Sequence, residues 1–440
     1  MYTVKDGIKM KENKIIILAD DLTGANDTAI QFAKHGLQAL VIPYTQFPDS
    51  ALGAGFQVFS LNSDSRPMDG SLAYDTLRNL VKRIKSLRPS GNYYKKIDSV
   101  LRGNPGPELA AVMDELETPL AIVAPSFPAN RSTVENGMLK SGALNITVDA
   151  VNVFASSMNK KVEGIPLEKI RLEGQQCAEY VLERVKGGVE VFVADAVDDD
   201  DLAGVYRLSS ALLQPHILVG SAGLGNQIAE NLKAEEKPLP SKRPVFSDPC
   251  GPLVLMIAGT RQGETAAQIT CLCETMASPV ICYKTDLVIN GKAEEANLLA
   301  YEEAAYQIKN KAKLCIIAVE SLFTSEIQAG DVNRMDKAQS DLYKMESEAI
   351  SSGLGILAGS LMESFKFQVL ISTGGDTSLE VCKHLGVGGI QPLAEICPGI
   401  PIGRIVGGSY ENSYIITKSG RFGVDNTLVE VMDYLGVPRA

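Results

Sequence analysis

The stretch Ile15-Ile-Ile-Leu-Ala-Asp20-Asp21-Leu-Thr23-Gly24-Ala-Asn-Asp27-Thr28 passes from an apolar run straight into two carboxylates, a Thr-Gly turn and a helical pattern. In an open parallel sheet this order puts Asp20 and Asp21 at the carboxyl end of a first strand, where such folds bind ligands. Acidic groups there can hold sugar hydroxyls, approach a magnesium ion or take a proton from a nucleophilic hydroxyl. The plainer alternative is that one of them only caps the next helix. The rest of the chain decides between the two.

Outward from that stretch the pattern repeats. Buried-strand runs at 14–19, 38–43, 56–61, 92–98, 119–124, 189–194 and 215–219 alternate with amphipathic segments. Residues 235–252 carry five prolines and no periodicity, and read as a linker. A second alternating half follows, with strands expected near 253–258, 279–283, 313–319, 367–372 and 413–417. The expectation is α/β: two α/β domains, 1–234 and 253–440, with mostly parallel sheets and a cleft between them.

Bulk properties remove several classes. With 440 residues, 45% hydrophobic and 22% charged, the chain has the balance of a globular enzyme. No apolar run nears the ~20 residues that span a bilayer, and the polar start lacks the apolar core of a signal peptide. No membrane association and a cytoplasmic location are expected. A net charge of −11 argues against a nucleic-acid partner. Eight cysteines without a Cys-x-x-Cys pair argue against disulfides and zinc, and three histidines argue against a His-centred triad. No Gly-x(4)-Gly-Lys-Ser/Thr P-loop occurs. Ala19 stands where a haloacid-dehalogenase-like phosphatase needs its nucleophile.

Further clusters follow strand candidates. Lys95-Lys96-Ile97-Asp98-Ser99-Val-Leu-Arg102-Gly103-Asn104 sets cations around an acid, and Arg66 lies beyond another strand. Lys96 and Arg102 suit a substrate carboxylate, Arg102 through its bidentate fork. Asp98 suits a hydroxyl. Pro125-Ser-Phe-Pro128-Ala-Asn130-Arg131-Ser132-Thr133 is a proline-stiffened loop. In the second half, Gly259-Thr260, Thr373-Gly374-Gly375-Asp376-Thr377 and Lys418-Ser419-Gly420 each leave a strand through a glycine turn. Glycines admit phosphate to the backbone, and helix starts offer unpaired N–H donors. A tight turn explains any one of them; three together favour a nucleotide crevice.

Taken in order, Ala-Asp-Asp-Leu-Thr-Gly-Ala, Lys-Ile-Asp-Ser-Val-Leu-Arg-Gly-Asn, Pro-Ser-Phe-Pro-Ala-Asn-Arg-Ser-Thr, Gly-Gly-Asp-Thr and Thr-Lys-Ser-Gly-Arg-Phe-Gly resemble the four-carbon acid sugar kinase family over residues 14–435. The resemblance implies a sugar acid as substrate and ATP with Mg2+ as cofactors. It assigns Asp21, Arg66 and Lys96, Ile97, Asp98 and Ser99 to the sugar acid. It assigns Thr260, Gly374, Gly375, Asp376, Thr377 and Gly420 to ATP. Asn130 and Ser132 depart from the family's Gly and Thr. Asn26-Asp27-Thr28 is closer to D-threonate and D-erythronate kinases than to 3-oxo-tetronate kinases.

The expected reaction is in-line phosphoryl transfer from Mg-ATP to the 4-hydroxyl of a tetronate. Lys96, Arg66 and Arg102 would hold the carboxylate, Asp21 or Asp98 would accept the proton, and Lys418 would join the glycine amides at the phosphates. A 3-oxo-tetronate kinase and a non-catalytic sugar-acid sensor are the alternatives. Metal ligands cannot be read from the sequence, and a homo-oligomer is left open.

Overall fold

β1 (Lys14–Ala19) is buried along its apolar length: Ile15, Ile16, Ile17, Leu18 and Ala19 are no more than 3% exposed. Each of its larger side chains contributes about 1.5–3 kcal/mol by leaving water, so an Ile16→Asp change would break the first sheet at its centre. The computed structural model describes residues 14–45, 47–52, 55–88, 91–142, 145–232, 243–246, 248, 251–324 and 337–439. It divides into two compact units, Met1–Pro240 and Ser241–Ala440. Of the expected linker, residues 235–242, 247, 249 and 250 lie outside the described residues.

The first unit holds β1, β2 (Ala39–Ile42), β3 (Val58–Asn62), β4 (Gly91–Lys96), β5 (Leu120–Ala124), β6 (Ser132–Glu135), β7 (Met138–Ser141), β8 (Ile146–Asp149), β9 (Val162–Ile165), β10 (Val191–Ala194) and β11 (His216–Gly220). Eight of these pair in the order β2-β3-β1-β4-β11-β5-β10-β9, every pair parallel. β6, β7 and β8 form a separate antiparallel meander. The chain leaves β1 toward β2 on one side and leaves β4 toward β5 on the other. β1 and β4 are therefore the topological switch point, with Ala19 opposite Lys96.

The second unit holds β12 (Val254–Ala258), β13 (Val280–Tyr283), β14 (Leu314–Val319), β15 (Val369–Thr373), β16 (Gly389–Cys397), β17 (Ile400–Val406) and β18 (Tyr414–Lys418). Their order is β13-β14-β12-β15-β18-β17-β16, parallel as far as β18 and antiparallel beyond it. Here the chain leaves β12 and β15 in opposite directions, and Ala258 lies opposite Thr373. The architecture is two α/β domains with largely parallel sheets. The meander, β9 and the antiparallel pair β16–β17 are additions that apolar runs did not announce. Among the described residues no helix is long and apolar enough to cross a membrane.

Candidate active site

At the first switch point, β1 delivers Asp20 and Asp21, and β4 delivers Lys96 and Asp98. Asp21 does cap the helix Leu22–Lys34: its Oδ1 accepts from the Gly24 amide at 2.8 Å. Its Oδ2 takes no part in the cap and instead accepts from Thr23 Oγ1 at 2.5 Å and Arg66 Nη1 at 2.6 Å. Capping and site-building are thus done by the two oxygens of one side chain.

Arg66 organises the cluster. It donates to Asp20 through Nε at 2.8 Å and Nη2 at 3.0 Å, the bidentate geometry that only a guanidinium offers. Its Nη2 also lies 3.7 Å from Asp98 Oδ2. Burial pushes the Asp20 carboxyl up, but Arg66 and Lys95 outweigh it and hold the group below its ordinary value. Arg66 itself is raised well above its ordinary value, the pull of Asp20, Asp21 and Asp98 exceeding the cost of burial.

Asp98 is held at four points. Its Oδ1 accepts from the Val100 amide at 3.0 Å, the Arg102 amide at 3.2 Å and Arg102 Nε at 3.1 Å, and its Oδ2 accepts from Arg102 Nη2 at 2.6 Å. Against the cost of burial, Arg102 and then Arg66 keep its carboxyl far below the usual range. Lys96 differs. It is 5% exposed, and among the described residues no hydrogen bond or ion pair engages its Nζ. The ammonium lies against Gly24, where a Cβ would come within 2.7 Å of it. Ile97 is buried and donates its amide to Gly220 O at 2.9 Å, while Ser99 O accepts from Ser132 Oγ at 2.6 Å. Of the expected sugar-acid residues, the structure brings Asp21, Arg66, Lys96, Asp98 and Arg102 together. Ile97 serves as core and backbone, and Ser99 anchors the meander.

At the second switch point the polar groups are mostly backbone. Gly374 has φ of +100°, a conformation that favours glycine, and a Cβ there would sit 3.6 Å from Thr260. A Cβ on Gly420 would come within 2.3 Å of Thr260 Oγ1, and one on Gly259 within 2.0 Å of Thr377 Oγ1. Three turns therefore converge on Thr260 without side chains between them, a cradle that suits a phosphate chain. Gly375 and Asp376 open the helix Gly375–His384, with Asp376 exposed in its first turn.

Lys418 is placed differently from its expected reach toward the phosphates. It is fully buried, and its Nζ donates to Ser419 O at 2.9 Å and lies 3.2 Å from Thr265 Oγ1. Burial lowers its pKa to about 8. It shapes the Gly420 turn from behind, with Thr265, whose hydroxyl donates to Gly420 O at 2.6 Å.

Residues that sequence reasoning passed over include Arg261, stacked 4.9 Å over the Tyr343 ring beside Thr260, and the buried pair Lys95–Glu108. A lysine inside a strand and a glutamate on the apolar face Leu109-Ala-Ala111-Val112 were the available signals. Among the described residues no group of three or more His, Cys, Asp or Glu side chains could hold a metal alone. Magnesium fits here only as a partner of nucleotide phosphates, its usual mode.

Comparison with known proteins finds relatives over nearly the whole chain. The profile of a sugar-binding N-terminal domain matches residues 15–228, and that of a nucleotide-binding C-terminal domain matches residues 255–428. A D-threonate kinase of Salmonella typhimurium is 27% identical over 96% of this chain and 98% of its own length. A D-erythronate kinase of Heliobacterium modesticaldum is 27% identical over 96% and 97%. A 3-oxo-tetronate kinase of Haemophilus influenzae is 24% identical over 93% and 97%. A solved Salmonella typhimurium LT2 structure superposes with a TM-score of 0.74 at 19% identity, covering 96% of this chain and 99% of that one, which bears on the fold alone.

Proposed function

We propose that this chain, homologous to the four-carbon acid sugar kinase family, is an ATP-dependent kinase acting on the terminal hydroxyl of a four-carbon sugar acid, D-threonate or D-erythronate. The observation that carries the reading is the pair of switch points, one lined by charged side chains and the other by glycine turns around Thr260. A sugar acid needs directional groups and a cation. A polyphosphate needs close backbone. A sugar-acid sensor has no use for the second feature.

In the first crevice Lys96 takes the substrate carboxylate, because among the described residues its ammonium, unlike Arg66, Arg102 and Lys95, makes no ion pair or hydrogen bond. Arg66 and Arg102 shape the crevice by fixing Asp20, Asp21 and Asp98 in place. Asp21 serves as the base. What supports it over Asp98 is chemistry: a carboxylate held at four points, with its pKa far depressed, is a poor proton acceptor. In the second unit Thr260, Gly374, Gly375, Thr377 and Gly420 would hold the nucleotide phosphates, and Asp376 would be the carboxylate nearest in sequence for the magnesium they bring. When bound, Mg-ATP supplies the phosphoryl group and offsets its charge; the chain contributes orientation and fixed dipoles.

Coupled ADP release with Mg-ATP tests this against D-threonate, D-erythronate, L-threonate, L-erythronate and a 3-oxo-tetronate. Turnover of a D-acid that Asp21→Asn abolishes supports the assignment. Preference for the 3-oxo acid moves the chain to the sister activity. Absence of both turnover and ATP binding rejects a kinase.

A further inference from the structure

Lys95 and Glu108 are 0% and 1% exposed, so neither can touch a sugar acid, yet they form an ion pair of 2.8 Å directly beneath the crevice. Buried ion pairs seldom add net stability over apolar residues of the same volume. What this one holds is specific. Lys95 Nζ also donates to Leu18 O at 3.2 Å and Lys96 O at 2.7 Å, joining the ends of β1 and β4 across the switch point. Glu108 Oε1 accepts from Ser65 Oγ at 2.6 Å, and Ser65 Oγ lies 2.7 Å from Ser63 Oγ. Ser63 Oγ in turn donates to Ala19 O at 2.8 Å.

Every contact of this network falls on or beside a residue of the crevice. Leu18 and Ala19 precede Asp20 and Asp21. Ser65 precedes Arg66, whose amide donates to Asp20 O at 3.2 Å. Lys96 is touched at its own carbonyl. We propose that the Lys95–Glu108 pair, with Ser65, is a positioning element of the sugar-acid site, fixing the separation of Asp21, Arg66 and Lys96. Lys95 additionally helps hold the Asp20 carboxyl below its ordinary value, while burial holds that of Glu108 above its own. The inference rests on reading the first crevice as the sugar-acid site.

The test pairs Ser65→Ala with the apolar replacement Lys95→Met/Glu108→Leu, each followed by thermal unfolding and by kinetics in both substrates. A pair that only fills the core is replaceable by Met and Leu with kinetics unchanged. A positioning pair is not. The expected result is a folded double variant with KM for the sugar acid raised about tenfold or more and kcat down by up to about 10²-fold, the scale of a 1 Å misplacement. KM for ATP stays within about twofold of wild type. Ser65→Ala, which removes the hydroxyl contacts to Glu108 and Ser63 and leaves the ion pair, shows the same split in smaller measure. It decides the matter by itself if the double variant fails to fold. Wild-type kinetics in either folded variant, with the wild type active, overturns the positioning role alone. A wild type that neither binds nor turns over any acid of the panel overturns the crevice assignment and this proposal with it.

Discussion

Gly24→Ala separates site from fold more sharply than any charge substitution. The new Cβ would lie 2.6 Å from Asp21 Oδ1 and 2.7 Å from Lys96 Nζ. Both are tips of side chains, so the backbone need not move, but the tips must. Ordinary contact is ~3.5 Å or more, so each retreats by roughly 1 Å. For stability the effects nearly cancel: alanine gains about 1 kcal/mol of helix propensity over glycine, and a disturbed N-cap costs about 1 kcal/mol. The Tm should therefore move by less than ~4 °C. For catalysis they add, because the proposed base and carboxylate ligand are displaced together. The expected loss in kcat/KM for the sugar acid is about 10²-fold, or ~2.7 kcal/mol of transition-state stabilisation. Coupled ADP release at varied acid and saturating ATP reads this directly. A variant within about threefold of wild type refutes the placement of Asp21 and Lys96 in the site. A Tm fall of well over ~4 °C refutes the cancellation instead.

Asp21→Asn should lower kcat by roughly 10²–10⁴ while leaving ATP affinity unchanged in calorimetry; equal activity would return the base to Asp98. Gly420→Ala, whose Cβ would collide with Thr260 Oγ1 at 2.3 Å, should raise KM for ATP without changing affinity for the acid, measured by separate titrations. Lys418 gives a pH signature. Its pKa falls from 10.5 to about 8 on folding, so below pH 8 both states are charged and the folded state bears the whole burial penalty. Between pH 8 and 10.5 the unfolded chain holds the extra proton, and stability rises with pH, by about 3 kcal/mol. Lys418→Met should remove that rise. Urea melts at about pH 7 and about pH 10 check it, and a wild-type-minus-variant difference that does not change with pH rejects it.

What was legible in the sequence follows from how each element is buried. The parallel strands β1, β5, β12, β14 and β15 are covered on both faces and therefore read as plain apolar runs. β6, β7 and β8 are four residues each and half polar, so they carry no such signature. β16 and β17 contain Pro392, Pro401 and Gly403, which read as breakers; Pro392 borders a register shift, where a proline can be accommodated. In the site, the acids and cations were legible as types placed after strands, but their partners were not. Arg66 looked like a cation awaiting a substrate, yet Asp20 and Asp21 already occupy it. Lys418 looked like a phosphate ligand because the sequence cannot say that its chain turns inward to Ser419 O and Thr265. Pairing in space is a long-range property, and one sequence carries no record of it.

The two switch points share a topology but not a chemistry, and the difference bears on where substrate choice is made. Around Thr260 the contacts on offer are the backbone amides of closely packed glycine turns, which any nucleoside triphosphate satisfies through its phosphates. Around Lys96 they are side chains of fixed direction. Four carboxylates, Asp20, Asp21, Asp98 and Glu108, face four cations, Arg66, Lys95, Lys96 and Arg102, so the local charge balances although the chain as a whole is at −11. A monoanionic acid can then enter without opposing a net negative field. Within that balance the groups differ in freedom. Asp98 is tied at four points and cannot turn to meet a misplaced hydroxyl, whereas among the described residues no hydrogen bond or ion pair ties the Lys96 ammonium. D-threonate and D-erythronate differ at one hydroxyl-bearing carbon. On the proposed reading the wrong epimer is penalised at the rigid carboxylate, where an unmet buried hydrogen bond costs about 1–3 kcal/mol, and not at the ammonium. Stereochemical choice then rests on Arg102, which ties Asp98 down, more than on the cation that binds the acid.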